Sequence, residues 1–104
     1  MQKRLICPSR RRRVPTQFSW IDHRLVRDHH VERCSLEALA LYLFLVTVAD
    51  ADGLSYYGDD QLATRLSLDS SRLRQARDNL IAADLVAFQA PLYQVLSLEG
   101  GEPR

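Results

Sequence analysis

Residues 61–86 read QLATRLSLDSSRLRQARDNLIAADLV, and the fold follows from how this stretch divides. In its first part Leu62, Ala63 and Leu66 lie at i, i+1 and i+4, with Asp59 or Asp60 placed to cap a helix start. Ser67-Leu68-Asp69 then breaks the period, and Asp69 has the side chain of a good N-cap for a second helix. In the second part Leu73, Ala76, Leu80 and Ile81 fall at i, i+3, i+7 and i+8, one apolar face of a 3.6-residue period. The opposite face carries Ser71, Arg72, Arg74, Gln75 and Asp78, all of them polar.

A short helix, a tight turn and a second helix with a polar outer face make a helix-turn-helix plan. The stretch resembles the winged-helix pattern of leucine-alanine-x-x-leucine, small residue, aliphatic residue, cap, then a helix ending in leucine and an aliphatic residue. Those positions are Leu62, Ala63, Leu66, Ser67, Leu68, Asp69, Leu80 and Ile81, with Leu85-Val86 opening the next strand. The chain departs from the pattern at Ser67, where the family usually has glycine.

Working outward, composition sets the limits. At 104 residues the chain can build one core and is too small for two. Its formal net charge of +1 hides an asymmetry. Residues 1–33 hold Lys3, Arg4, Arg10, Arg11, Arg12, Arg13, Arg24, Arg27 and Arg33 against Asp22, Asp28 and Glu32. The remainder has twice as many acids as arginines, so the first third supplies most of the positive field toward any anion. Two cysteines in unlike contexts, Cys7 and Cys34, form no disulfide framework, which favours a reducing, cytoplasmic setting. The basic start lacks an apolar run, so a secretory signal is not expected.

Residues 1–17 contain the run Arg10-Arg11-Arg12-Arg13, Pro8 and Pro15, and little periodicity, and read as a flexible basic arm. Residues 18–27, anchored by Phe18, Trp20, Ile21, Leu25 and Val26, read as a short strand or hooked segment laid across the domain. Ser35 caps a helix over residues 36–49, in which only Glu37 and Thr47 are not apolar, so burial on every side is expected. It is too short to span a bilayer, and no membrane association is expected. Asp50-Ala51-Asp52-Gly53 ends it, with Gly53 as the left-handed residue. Residues 54–57 form a short strand, and residues 85–89 and 92–98 form two more, joined through Ala90-Pro91 as a wing. Residues 99–104 are a tail.

The expected fold is therefore mainly α with a small β wing, an α+β winged helix-turn-helix over residues 18–98. Helix, strand, helix, helix, strand, strand, together with Ala49-Asp50-Ala51-Asp52-Gly53, resembles the winged helices of phage and plasmid replication initiators and primosomal proteins. That resemblance implies double-stranded DNA as partner and a role in transcription regulation or DNA replication.

The residues that would carry DNA binding are Arg10, Arg11, Arg12 and Arg13 in the arm and Ser70, Ser71, Arg72, Arg74 and Gln75 on the second helix. Arginine can pair with guanine O6/N7 and glutamine with adenine N6/N7, while serines at a helix N-terminus suit phosphate. Against this stands a pairing of Arg74 with Asp78 at i+4 on a solvated face. The wing is the weak part of the DNA case, because residues 85–98 contain no Lys or Arg. Phe88 and Tyr93 there suggest a packing or protein-docking surface, and a protein-interaction module that docks a larger nucleic-acid machine is the alternative function. The apolar helix at residues 36–49 asks for a cover. Either residues 18–26 supply it, with Trp20 packed on the helix, or a homodimer partner does, facing Leu41, Tyr42, Leu45 and Val48.

Cys7, His23, His29, His30 and Cys34 lack the paired spacing of a zinc site, and no metal or other cofactor is expected. With no phosphate loop, nucleophile elbow or carboxylate pair in a pocket, no enzyme is expected either.

Overall fold

Ser35 does what its chemistry dictates in the computed structural model, which describes residues 2–98. Its Oγ accepts the Ala38 amide at 3.1 Å and starts a helix at Leu36–Val48. This is α2 in chain order, since a single turn at Arg24–Arg27 forms α1 where the sequence suggested a short strand or hooked segment. Asp50 ends α2 by folding back: its Oδ1 accepts from the amides of both Asp52 and Leu54 at 2.9 Å. Gly53 completes the reversal at φ 86°, and any Cβ there would meet the Val95 carbonyl oxygen at 2.6 Å. Conformation and close approach both require glycine.

Two further helices follow, α3 at Asp59–Leu66 and α4 at Ser70–Ala82. Gly58, not an aspartate, is the N-cap of α3. Asp59 and Asp60 sit inside its first turn, and Gln61 Oε1 accepts the Gly58 amide at 3.2 Å. The carboxylates still favour the helix dipole from there. Asp69 caps α4 as expected, its Oδ1 accepting the Arg72 amide at 2.8 Å.

Both helices close in the same way. The Leu68 amide donates to Ala63 O and the Leu85 amide to Leu80 O, each at 3.0 Å, with a left-handed residue just before. Those residues are Ser67 (φ 55°) and Asp84 (φ 62°). This is the Schellman geometry, which glycine usually serves.

Three antiparallel strands complete the fold: β1 at Leu54–Tyr56, β2 at Val86–Gln89 and β3 at Leu92–Val95, in the order β1-β3-β2. Each is shorter than the expected span. The hairpin pairs Phe88 with Tyr93 and Val86 with Val95, and β3 pairs Ser55 with Tyr93 on its other side. The element order is the one expected of a mainly helical α+β fold with a small wing. The tail expected at residues 99–104 lies outside the described residues.

One core joins these layers. Ala38, Leu41, Tyr42 and Leu45 of α2 meet Leu62, Leu73, Ala76 and Leu80 of the helix pair, with Leu85, Val86 and Tyr93 from the hairpin. Leu66 and Leu68 are partly buried against it. Leu39 and Leu43 of α2 and Ile81 of α4, all expected inside, fall outside it. Leu43 is 57% exposed and Ile81 is 42% exposed, because each lies one position round its helix from the packed face.

The expected burial of α2 on every side fails for the same reason. Among the described residues, α3, α4 and the sheet cover one side, and Leu36, Ala40 and Leu43 face outward. Residues 18–26 supply little cover, since Trp20 is 75% exposed and only Leu25 enters the core. Ser19 ties the segment to the end of α2 through a bond from its Oγ to Thr47 O at 3.1 Å.

Leu73 is fully buried at the centre, so Leu73→Ala should cost roughly 2–5 kcal/mol in urea denaturation. Ser67→Gly should go the other way. Relief of a left-handed L-residue, roughly 1–2 kcal/mol, exceeds the added unfolded-state freedom and leaves a gain of up to about 1 kcal/mol in the same assay.

Candidate nucleic-acid interface

The outer surface of α4 is divided into two stripes by what lies beside it. Arg72, Gln75 and Asn79 run along the edge facing the start of α2, where they line a shallow cleft with Ser35 and Glu37. Asn79 is committed there: its Oδ1 accepts the Ser35 amide at 2.7 Å and its Nδ2 donates to Arg33 O at 3.0 Å. Arg33 returns the contact by donating to Ala83 O at 3.2 Å, satisfying a carbonyl at the end of α4. Arg72 is also engaged, its Nη2 lying 2.7 Å from Glu37 Oε2. That bond holds the Glu37 carboxyl below its ordinary range. Both side chains remain substantially exposed, so solvent and salt screen the pair.

The second stripe is different. Ser71, Arg74 and Asp78 follow at i, i+3 and i+7 and all are exposed, as is Ser70 at the helix start. The i+4 pairing of Arg74 with Asp78 does not form. Among the described residues from 34 onward, Arg65 lies over the Phe44 ring at 5.4 Å, Arg72 holds Glu37, and Arg77 is buried with Asp59. Arg74 alone among those arginines has neither acid, ring nor hydrogen-bond partner.

Arg77 is the residue that sequence reasoning passed over. Its Nη1 donates to Asp59 Oδ1 at 2.7 Å and to Tyr93 Oη at 2.9 Å, and its guanidinium stacks on Phe88 at 4.3 Å. The signal was available, because position 77 is i+4 from Leu73 on the apolar face of α4. One cation thereby joins the start of α3, the middle of α4 and both strands of the hairpin.

This overturns the reading of the hairpin as a docking surface through Phe88 and Tyr93. Tyr93 is fully buried, and Phe88 lies against its ring with centroids 4.5 Å apart. The pair is packing, drawn inward by the guanidinium. Leu41, Tyr42 and Leu45, expected to face a homodimer partner, belong instead to the chain's own core.

Arg10–Arg13 are exposed, with one 3-10 turn at Pro8–Arg10. Among the described residues, no hydrogen bond or ion pair joins the arm to α4, so the two groups of candidate DNA-binding residues are separate in this structure. No group of three or more His, Cys, Asp or Glu is gathered for a metal among the described residues, and Cys7 is exposed while Cys34 lies against the core. No helix among them is long and apolar enough to cross a membrane. Comparison with protein-family models, with curated proteins and with solved structures finds no match for the chain.

Burial raises the Tyr93 phenol above its ordinary value of 10.0, with the Arg77 bond opposing. A raised phenol means that folding favours the neutral form. Its contribution to stability is complete below about pH 10 and is lost as the pH climbs through the folded-state value. Chemical denaturation should therefore show a midpoint falling above about pH 10, with a shallower fall in Tyr93→Phe. Arg77→Ala, which leaves the Tyr93 hydroxyl buried and unpaired, should cost roughly 1–3 kcal/mol at neutral pH. Asp59→Asn should cost less, because that carboxylate is half exposed.

Proposed function

We propose that this chain is a DNA-binding winged helix-turn-helix protein, acting in the cytoplasm as a transcriptional regulator or an accessory replication factor. The observation that carries the reading is the unpartnered Arg74 on the outer stripe of α4. An exposed arginine held in no ion pair among the described residues presents its full fork of donors, the group that best matches guanine O6/N7 in a major groove. Ser70 and Ser71, at the start of the same helix, are placed for phosphate, where free amides and the helix dipole favour an anion.

The arm supports the reading from a second direction. Arg10–Arg13 have no ion pair among the described residues, and consecutive arginines can follow a phosphate backbone or enter a minor groove. Arg72 has the lesser role, since binding DNA would first require release from Glu37. The cation-free hairpin does not grip phosphate in this reading. It fixes the tilt of α4 through Arg77 instead.

The two groups should separate experimentally. In the full-length chain, replacing Arg10–Arg13 together by serine should flatten the plot of log K against log salt by up to about four, at about 0.9 per phosphate released. Sequence preference should survive. Arg74→Ala should leave most of the slope and relax preference at one base position, at a cost of roughly 1–3 kcal/mol. Duplex binding that is indifferent to both changes would refute the assignment.

A further inference from the structure

A second feature lies on the opposite end of α2 from the α4 contacts. An open groove of about 740 Å³ runs between the segment at residues 18–22 and the ends of α2 and β3. Its apolar lining includes Phe18, Trp20, Val46 and Leu98, and the same lining carries Asp50, Asp52 and Asp84 beside the paired Asp22 and Arg24. Phe18 and Trp20 are 64% and 75% exposed, so among the described residues two large aromatic rings stand open in the same groove as these carboxylates. Asp52 and Asp84 have no ion pair among the described residues, whereas Asp22 is taken by Arg24 at 2.6 Å.

Aromatic faces next to carboxylates are complementary to one side chain above others. The arginine guanidinium is planar, stacks on rings and pairs with carboxylates in the same pose. The chain itself carries a segment of that chemistry: Arg10–Arg13, bounded by the exposed apolar residues Ile6 and Val14. Its own arm is badly placed to enter. The groove wall begins at Phe18, so Arg13 would have to double back within residues 14–17, where Pro15 holds Val14 extended.

We propose that the groove receives the arginine arm of a second copy of this chain. Reciprocal exchange of arms between two copies closes a dimer in which each groove is filled by the other's arm. The attraction is between exposed charges, so it weakens with salt. It does not depend on DNA binding, although one arm cannot occupy a groove and a phosphate backbone together.

Trp20, the only tryptophan, reports from inside the groove. The probe is a synthetic peptide of residues 3–16 with Cys7→Ser, titrated into the full-length chain whose own Arg10–Arg13 are replaced by serine. A saturable change in Trp20 emission is expected. It should weaken roughly three- to thirtyfold in Asp52→Asn/Asp84→Asn, the worth of two exposed ion pairs, and further in about 0.5 M salt. Asparagine keeps the left-handed backbone of residue 84 accessible, and Asp50 is left intact because it holds its own turn. In light scattering, the unaltered chain should give a dimer mass that drops to monomer when Arg10–Arg13 become serine.

No saturable emission change would overturn the proposal, as would equal binding of a peptide with its four arginines replaced by serine. A dimer that survives the serine replacements would place the association elsewhere, on Leu36 and Leu43 of α2. A monomer whose Trp20 signal responds to salt at every concentration would mean that the groove takes the chain's own arm.

Discussion

The Arg77 guanidinium is the contact on which the arrangement of helices and sheet depends. These elements could pack through leucines alone in several related ways, since apolar contacts are weakly directional. A buried cation is directional. It must find an acid and acceptors at set distances, or the burial is costly. By reaching Asp59 and Tyr93 from α4 while covering Phe88, Arg77 selects one placement of the hairpin against the helix pair. Asn79 does the same at the far end of α4 through the backbone of Arg33 and Ser35, and Arg33 through the carbonyl of Ala83.

What was legible in the sequence was local. Ser35, Asp50 and Asp69 were readable as helix boundaries because each acts on backbone groups within four residues of itself. The order of helices and strands followed from those boundaries and from the apolar period of residues 61–86. What failed depended on contacts distant in sequence. The apolar girth of α2 says that the helix prefers burial, but which side is covered depends on where α4 and the sheet land. Tyr93 and Phe88 look like a partner surface only while Arg77, in another element, is left out. The aspartates at 59 and 60 lie one and two positions past the cap, and nothing in the pattern distinguishes a cap from a first-turn acid.

The candidate DNA-binding residues divide along the same line. Ser71, Arg74 and Gln75 were found because they lie opposite the apolar face and Ser70 because it opens the helix, and the structure leaves all four exposed. Arg72 also lies on the polar side, yet its partner Glu37 is 35 positions away and belongs to another helix. No reading of residues 61–86 by themselves could have separated Arg72 from Arg74.

That division has a consequence for how such a helix can change over time. Positions 72, 77 and 79 are tied to the scaffold, and altering them alters the frame in which α4 is held. Positions 71, 74 and 78 are exposed and make no side-chain hydrogen bond or ion pair among the described residues, so their identities can be exchanged at little cost in folding. One stripe is architecture and the other is text. On the proposed DNA-binding reading, the preference of this helix can be rewritten at those three places while the page stays flat.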